Sequence, residues 1–129
     1  MSINIDLGDG KFHFGSSISE ESTTITSSGG AITINLNDGT NFVHDLTANI
    51  TAGNFTISNP AAAGKVSSFT LKIIQGSTAY TIAWPSSVDW AAATAPTLTA
   101  TNNGVDIFCF FTNDGGTTYY GFTAGQAMG

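Results

Sequence analysis

The distribution of apolar and polar residues predicts a chain of short β-strands. Apolar and polar residues alternate from Ala31 to Leu36, and the run from Asn41 to Leu46 places Phe42, His44 and Leu46 on one face. Turn-forming residues separate such runs at short, regular intervals. No segment keeps a helical apolar period over three turns. The pattern therefore predicts an all-β protein with a single β-sandwich or jelly-roll-like barrel domain.

The turn residues predict how these strands connect. Asn37-Asp38-Gly39-Thr40 predicts a hairpin between the runs 31–36 and 41–46. Pro85 is expected to end a strand, and a loop is expected from there to Pro96. No internal repeat is visible. Further strands are predicted at 24–27, 54–58, 66–75, 80–84 and 97–101.

The segment from Val105 to Phe122 predicts a hairpin with an unusually apolar first arm. Its turn, 113–116, contains residues that tolerate positive φ. An extended first arm would be largely apolar on both faces, so both faces require a cover. A second subunit is the expected cover for one of them. The two faces carry Val105, Ile107, Cys109 and Phe111 on one side and Asp106, Phe108, Phe110 and Thr112 on the other.

Residues 1–21 differ from the rest and predict an N-terminal arm ahead of a β-sandwich domain at 22–129. Ile3, Ile5 and Leu7 alternate with polar residues, and Phe12 and Phe14 follow after a Gly-rich turn. A short arm with one apolar edge is suited to adding a strand to a neighbour's sheet.

The charge composition of the chain limits the kinds of molecule that it is expected to bind. Only 9% of the residues are charged, the net charge is −6, and the cations are three lysines. A basic patch that binds nucleic acid or an anionic membrane is therefore not expected. No secretory signal and no apolar stretch long enough to span a bilayer is visible, so synthesis in a host cytoplasm is expected.

Histidine and cysteine do not form a predicted catalytic or metal site. His44 and Asp45 are neighbours on a strand, so their side chains point to opposite faces and cannot form a dyad. Two histidines, His13 and His44, and one cysteine do not supply a zinc ligand set at a recognised spacing. His44 is expected to be structural or interfacial, and Cys109 a small buried hydrophobic side chain.

The carboxylates have structural interpretations as well. Asp38 and Asp114 lie in Asn-Asp-Gly turns, where an Asx side chain stabilises the turn. Asp89 and Asp106 are expected to pair with threonine or backbone groups. The segment from Asp6 to Gly10 is expected to be an acidic turn. A calcium site is the alternative there, although the segment lacks the ligand pattern of an EF-hand. We therefore expect no enzyme activity, no metal and no cofactor.

The aromatic residues of the C-terminal third allow two interpretations. They could be core and subunit-interface anchors, where Trp and Tyr are enriched, or they could line a platform for sugar stacking. Packing is the favoured interpretation. The residues concerned are Trp84, Trp90, Tyr119, Tyr120 and Phe122.

Several motifs resemble a β-structured module of the virion proteins of tailed bacteriophages. They occur in order along most of the chain, at 55–60, 68–71, 81–85 with Trp90, 95–99 and 105–126. The pattern departs at Tyr120, where the module is expected to carry Trp. The resemblance brings no catalytic motif with it.

The resemblance implies a capsid decoration (cement) protein that binds the major capsid protein on the outer surface of the head as a homotrimer. The alternative is a receptor- or glycan-binding tip of a tail fibre or appendage. The residues predicted to contact the capsid or another subunit are Ile3, Ile5, Leu7, Phe12, Phe14, Trp90, Tyr119 and Tyr120.

Overall fold

The computed structural model describes residues 8, 10, 11 and 13–129, and these residues form an all-β fold, as predicted. A single 3₁₀ turn at Ala91–Ala93 is the helical element among them. The strands are β1 (Ser22–Thr24), β2 (Ile32–Asn35), β3 (Asn41–Asp45), β4 (Phe55–Ser58), β5 (Ser67–Ile74), β6 (Val88–Trp90), β7 (Val105–Thr112) and β8 (Tyr119–Met128).

The first five strands alternate between two sheets. One sheet has six strands in the order β1-β3-β5-β7-β8-β6, and the other consists of β2 and β4. The pairs β1–β3, β3–β5 and β2–β4 are all parallel. The chain from β1 to β5 therefore winds as a coil in which each turn lies beside the preceding one. The antiparallel strands β7 and β8 continue the larger sheet after this coil.

The hairpin predicted between 31–36 and 41–46 is wrong, because β2 and β3 belong to different sheets. The Asn-Asp-Gly segment does reverse the chain, and the amide of Asp38 donates to the carbonyl of Asn35 at 2.9 Å. The two strands, however, face each other across the core, so that Ile34 and Phe42 are both buried. A turn motif specifies a reversal of direction but not whether its arms share one sheet.

The successive turns of the coil differ in length, which explains why the sequence shows no repeat. Ser22 pairs with Asn41, and Asn41 pairs with Thr70. A further parallel bridge joins Ile50 to Ile82. Structural repetition is therefore present without a fixed sequence period.

The predicted strands at 80–84 and 97–101 do not form. Side chains take several of their backbone groups, and the segment 80–84 keeps an isolated bridge to Ile50. The buried Gln75 donates from Nε2 to the carbonyls of Tyr80 and Thr99 and accepts from the amide of Tyr80. Asp106 accepts from the amide of Thr99 at 2.7 Å. Conversely, residues 88–90, predicted as loop, form β6, which pairs in parallel with β8. The predicted strand at 24–27 lies earlier in the chain, as β1.

The C-terminal hairpin forms as predicted. β7 and β8 pair antiparallel, with Phe111 opposite Tyr120. In the turn, Gly115 and Gly116 adopt positive φ values of 75° and 85°, which favour glycine. Asp114 secures the turn by accepting from the amide of Thr118 and the hydroxyl of Thr112.

The core lies between the sheets and is rich in aromatic rings. Phe69 stacks on Phe110 with ring centroids 4.8 Å apart, and Phe108 is fully buried with its centroid 4.9 Å from that of Trp84. The inner residues of β7 are all buried, whereas the alternate residues are only half-buried. Cys109 belongs to this second set, so its predicted full burial is wrong. It lies on the face of the sheet that points away from the core.

Candidate interaction surface and aromatic groove

The six-stranded sheet presents an apolar surface on the side away from the core, here called the outer face. It arises because alternate residues of β3, β5, β7 and β8 point away from the core and lie opposite one another, as Ile74 does to Val105 and Cys109 to Phe122. Tyr120 and Phe122 are 42% and 53% exposed. Its apolar members are Val43, Ile74, Val105, Ile107, Cys109, Phe111, Tyr120 and Phe122.

Charged groups on the outer face are few, and the neutral polar residues Ser68 and Thr70 of β5 lie opposite Phe111 and Cys109. Lys72 lies opposite Ile107 in the middle of the sheet, and Asp45 is exposed at the end of β3. Near the rim, the carboxylate of Glu20 accepts from the Asn41 amide at 2.7 Å and from the hydroxyl of Thr40. This contact anchors the end of the N-terminal arm beside the outer face.

The exposed aromatic side chains on this face are packed together. The ring centroid of Phe111 lies 5.2 Å from that of Tyr120 and 6.1 Å from that of Phe122, and the latter pair is stacked. Such contacts hold side chains in place that would otherwise move freely in water.

A groove of about 430 Å³ lies where β6 meets β8, here called the aromatic groove. The parallel pairing sets Asp89 beside Tyr120 and Trp90 beside Gly121. Its lining is almost entirely apolar apart from one carboxylate. The lining residues are Asp89, Trp90, Ala91, Ala93, Tyr120, Gly121 and Phe122.

The position of Trp90 depends on Gly121. A Cβ at residue 121 would lie 2.8 Å from the indole of Trp90 and 2.9 Å from Val88, so only glycine lets the indole pack against β8. The indole also contacts Trp84, at a centroid distance of 5.0 Å, and Phe110, at 5.6 Å. Its buried Nε1 has no hydrogen-bond partner among the described residues. The side chain of Trp90 is therefore held by packing and not by a hydrogen bond from its indole N–H.

One wall of the aromatic groove has an unusual backbone. Ala92 and Ala93 have φ values of 55° and 52°, in the left-handed region that non-glycine residues rarely adopt. Their small side chains leave the groove open. Because such conformations cost of the order of 1 kcal/mol or more per residue, the surrounding packing must impose them.

The titratable groups of the interior have structural partners. Nδ1 of His44, which is buried, lies 2.9 Å from the carbonyl oxygen of Ile25. Buried Asp106 accepts hydrogen bonds from Thr99 and from the amide of Ala127. Within the part of the chain that the structure describes, no three His, Cys, Asp or Glu residues cluster as a metal site would require.

Two pKa values in the C-terminal hairpin are displaced. The backbone amide of Thr118, helped by the hydroxyl of Thr112, lowers the pKa of Asp114 below 3.8. Burial raises the pKa of Tyr119 above 10.0, and the charge of Asp114 adds to this effect. Both shifts reflect the construction of the turn.

The predicted contact residues are found in different environments. Tyr120 is exposed, Trp90 is half-buried in the aromatic groove, and Phe14 is 59% exposed. Tyr119 is 2% exposed and packs edge-on against Phe69, so its prediction as a contact residue is wrong. Adjacent residues of a strand point to opposite faces, and Tyr119 is the inward one. Ile3, Ile5, Leu7 and Phe12 lie outside the described residues.

The sequence named Phe122 among the aromatic residues that could be interface anchors or a sugar platform, but not among the predicted contact residues. The alternation along 119–122 places it on the same face as Tyr120. Sequence reasoning missed the pairing of β6 with β8, which forms the aromatic groove. No local sequence signal could have revealed that pairing, because the two strands are far apart in the chain.

Comparison with known proteins identifies no relative. No protein-family model matches the chain, and no curated protein and no solved structure is significantly similar to it. In the described ranges, no helix has the length and apolar character needed to cross a bilayer.

Proposed function

We propose that this chain is a structural protein of a bacteriophage virion, a capsid decoration protein that binds the outside of the head shell as a homotrimer. The observation that carries the proposal is the outer face, an apolar sheet surface that the chain leaves half-exposed. Contiguous apolar patches of this kind mark interaction sites. The motifs that resemble phage virion modules direct the proposal to the virion.

The composition of the outer face suits association between identical copies. Lys72 is its central charge, so few charged groups lose water when the surface is covered. Half-buried Phe111 supplies a large aromatic contact of the kind that is enriched in interfaces. The chain as a whole carries a net charge of −6, which favours solubility before assembly.

The polar interior supports a structural role over a catalytic one. Asp106, His44 and Gln75 are buried, and each bonds to backbone groups that hold loops in place. The described bonds of these side chains are to groups of the protein itself. These groups stabilise a rigid building block.

Self-association can be tested by placing a charge on the outer face. Ile107→Lys should convert the trimer to a monomer in sedimentation velocity and keep the native far-UV circular dichroism. The matched control is Ala52→Lys, which adds the same charge to an exposed turn before β4. A wild-type chain that sediments as a folded monomer at micromolar concentration would refute the proposal.

Location can be tested separately on the particle. Purified protein should bind to heads that lack it and raise their resistance to heat or chelators, and cryo-electron microscopy should show it on the head surface. Deleting residues 1–20 should weaken this binding without unfolding the domain. Unchanged head binding by the truncated chain would exclude the arm from the mechanism.

The aromatic groove favours a second candidate, a receptor-binding tip of a tail appendage. Ligand sites are concave and mostly apolar with a few polar groups, and the groove has this form. Density for the chain on the tail, with none on the head, would select this function over decoration.

A further inference from the structure

We propose that the aromatic groove is a binding site for a neutral saccharide. The site extends beyond the decoration function. It shares Tyr120 and Phe122 with the outer face, at the β6–β8 edge of the sheet, and it requires subunit contacts that leave this edge open. A protein on a virion surface can bind saccharides in either location.

The groove has the right size and shape. Its volume of about 430 Å³ lies within the range of about 300–1,000 Å³ found for small-molecule sites. The small side chains of Ala91 and Ala93 keep one wall low, and Gly121 adds no side chain to the floor. One or two sugar rings fit such a space.

Its chemistry matches the two kinds of surface that a pyranose presents. The exposed rings of Tyr120 and Phe122 can pack against the C–H face of a sugar ring. Asp89, exposed and directly beside Tyr120 in the β6–β8 pairing, supplies acceptor oxygens for adjacent hydroxyl groups. The Tyr120 hydroxyl can both donate and accept.

The negative charge of the groove lining and of the whole chain favours a neutral ligand over an acidic one. Asp89 is the charged residue in the lining, and the chain carries a net charge of −6. An acidic sugar would meet like charge at the point where its hydroxyls bind. Charge also argues against a second copy of the chain as occupant, because the protein contact would strip water from Asp89.

The site is formed before ligand arrives. Phe111 packs against Tyr120 and Phe122, and the close approach of Trp90 to Gly121 sets the floor. The left-handed conformations of Ala92 and Ala93 are imposed by the surrounding structure. Little ordering is then needed on binding, so weak individual contacts can give measurable affinity.

The test is a titration of the ¹⁵N-labelled full chain with lactose, cellobiose and N,N′-diacetylchitobiose, each to about 10 mM, with 3′-sialyllactose as the acidic probe. At least one neutral sugar should bind with a Kd of the order of 1 mM. The Tyr120 and Gly121 amides and the Trp90 indole N–H should shift. The sialylated sugar should bind more weakly.

Variants of groove residues test whether the NMR shifts come from sugar bound in the aromatic groove. Tyr120→Ala and Asp89→Asn should each weaken binding about tenfold, which corresponds to about 1.4 kcal/mol. Phe14→Ala, which removes an exposed ring that does not line the groove, should leave affinity unchanged. Because Asp89 is exposed and Asp89→Asn nearly preserves its shape, this variant tests the site even if Tyr120→Ala fails to fold.

Several results would overturn the proposal. They are no shift with any neutral sugar, shifts confined to other surfaces, and equal or tighter binding of the sialylated sugar. Groove signals that move with protein dilution instead of sugar would assign the groove to a second copy of the chain. The results with sugars do not bear on trimer formation or head binding, which Ile107→Lys and the particle experiments test.

Discussion

Asp106 provides the sharpest test of how this fold is held together. It is 2% exposed at the second position of β7, and its two carboxylate oxygens accept three hydrogen bonds. The amide of Thr99 donates to Oδ2 at 2.7 Å. The hydroxyl of Thr99 and the amide of Ala127 donate to Oδ1 at 2.7 and 3.1 Å. One side chain thus joins β7 to β8 and to the segment at 97–101.

The expected losses follow from these bonds. Asp106→Asn can keep the Oδ1 bonds, but it places an amide donor against the Thr99 amide, which removes one bond and leaves a donor unpaired. Hydrogen bonds to a carboxylate contribute about 1.5–3 kcal/mol each. We therefore expect Asp106→Asn to lower the free energy of unfolding by about 2 kcal/mol. Asp106→Ala removes all three bonds and should cost about 4 kcal/mol, less than their sum because water can reach Ala127.

Urea unfolding followed by tryptophan fluorescence measures both losses. The protein concentration is kept fixed because the proposed association would contribute to stability. Asp45→Asn is the matched control, since Asp45 is exposed on β3 and should change stability by less than about 0.5 kcal/mol. If Asp106→Asn unfolds at the wild-type midpoint, the three bonds do not stabilise the fold and the reasoning fails.

Three further changes have defined outcomes. Phe108→Ala, at a fully buried ring, should lower the unfolding free energy by about 3–5 kcal/mol in urea, and a loss below about 1 kcal/mol would contradict the core assignment. Gly121→Ala should lower stability by about 1–3 kcal/mol and alter near-UV circular dichroism, whereas Gly125→Ala, whose Cβ would meet only the flexible end of a methionine, should do neither. Since the Thr118 amide lowers the pKa of Asp114 in the folded chain, its contribution is present above the ordinary value of 3.8 and lost as pH falls below it. The acid-side fall in melting temperature should therefore be shallower in Asp114→Asn, and an identical pH profile would argue against the turn bonds.

The sequence pattern identified strands well where inward and outward residues alternated over the whole strand and the residues of the turn itself specified the turn. The C-terminal hairpin formed as predicted because 105–112 alternates over its full length and the glycines of its turn accept positive φ. The pattern failed where a buried polar side chain replaced a sheet ladder. Gln75 bonds to the backbone of Tyr80 and Thr99, and Asp106 bonds to the amide of Thr99. Strand propensity does not register such competition.

The candidate surfaces were only partly predictable. The alternation in β7 placed Ile107, Cys109 and Phe111 together on a face that needs a cover, and the structure shows that face half-buried. The alternation separates Tyr119 from Tyr120, but without the register of β8 it could not show which of the two enters the core. The aromatic groove depends on a parallel pairing between distant strands, which no local pattern encodes.

The winding of β1–β5 between two sheets affects the rates of folding and unfolding. Apart from the final hairpin, each sheet pairing joins segments separated by another strand or a long loop. Non-local pairings of this kind make folding slow, because loops must close before contacts form. During unfolding, such pairings also require several neighbouring strands to separate together before any one strand can detach from its sheet. We therefore expect slow unfolding. A particle built from this chain would then persist because the activation free energy of unfolding is high, as much as because the folded state is stable at equilibrium.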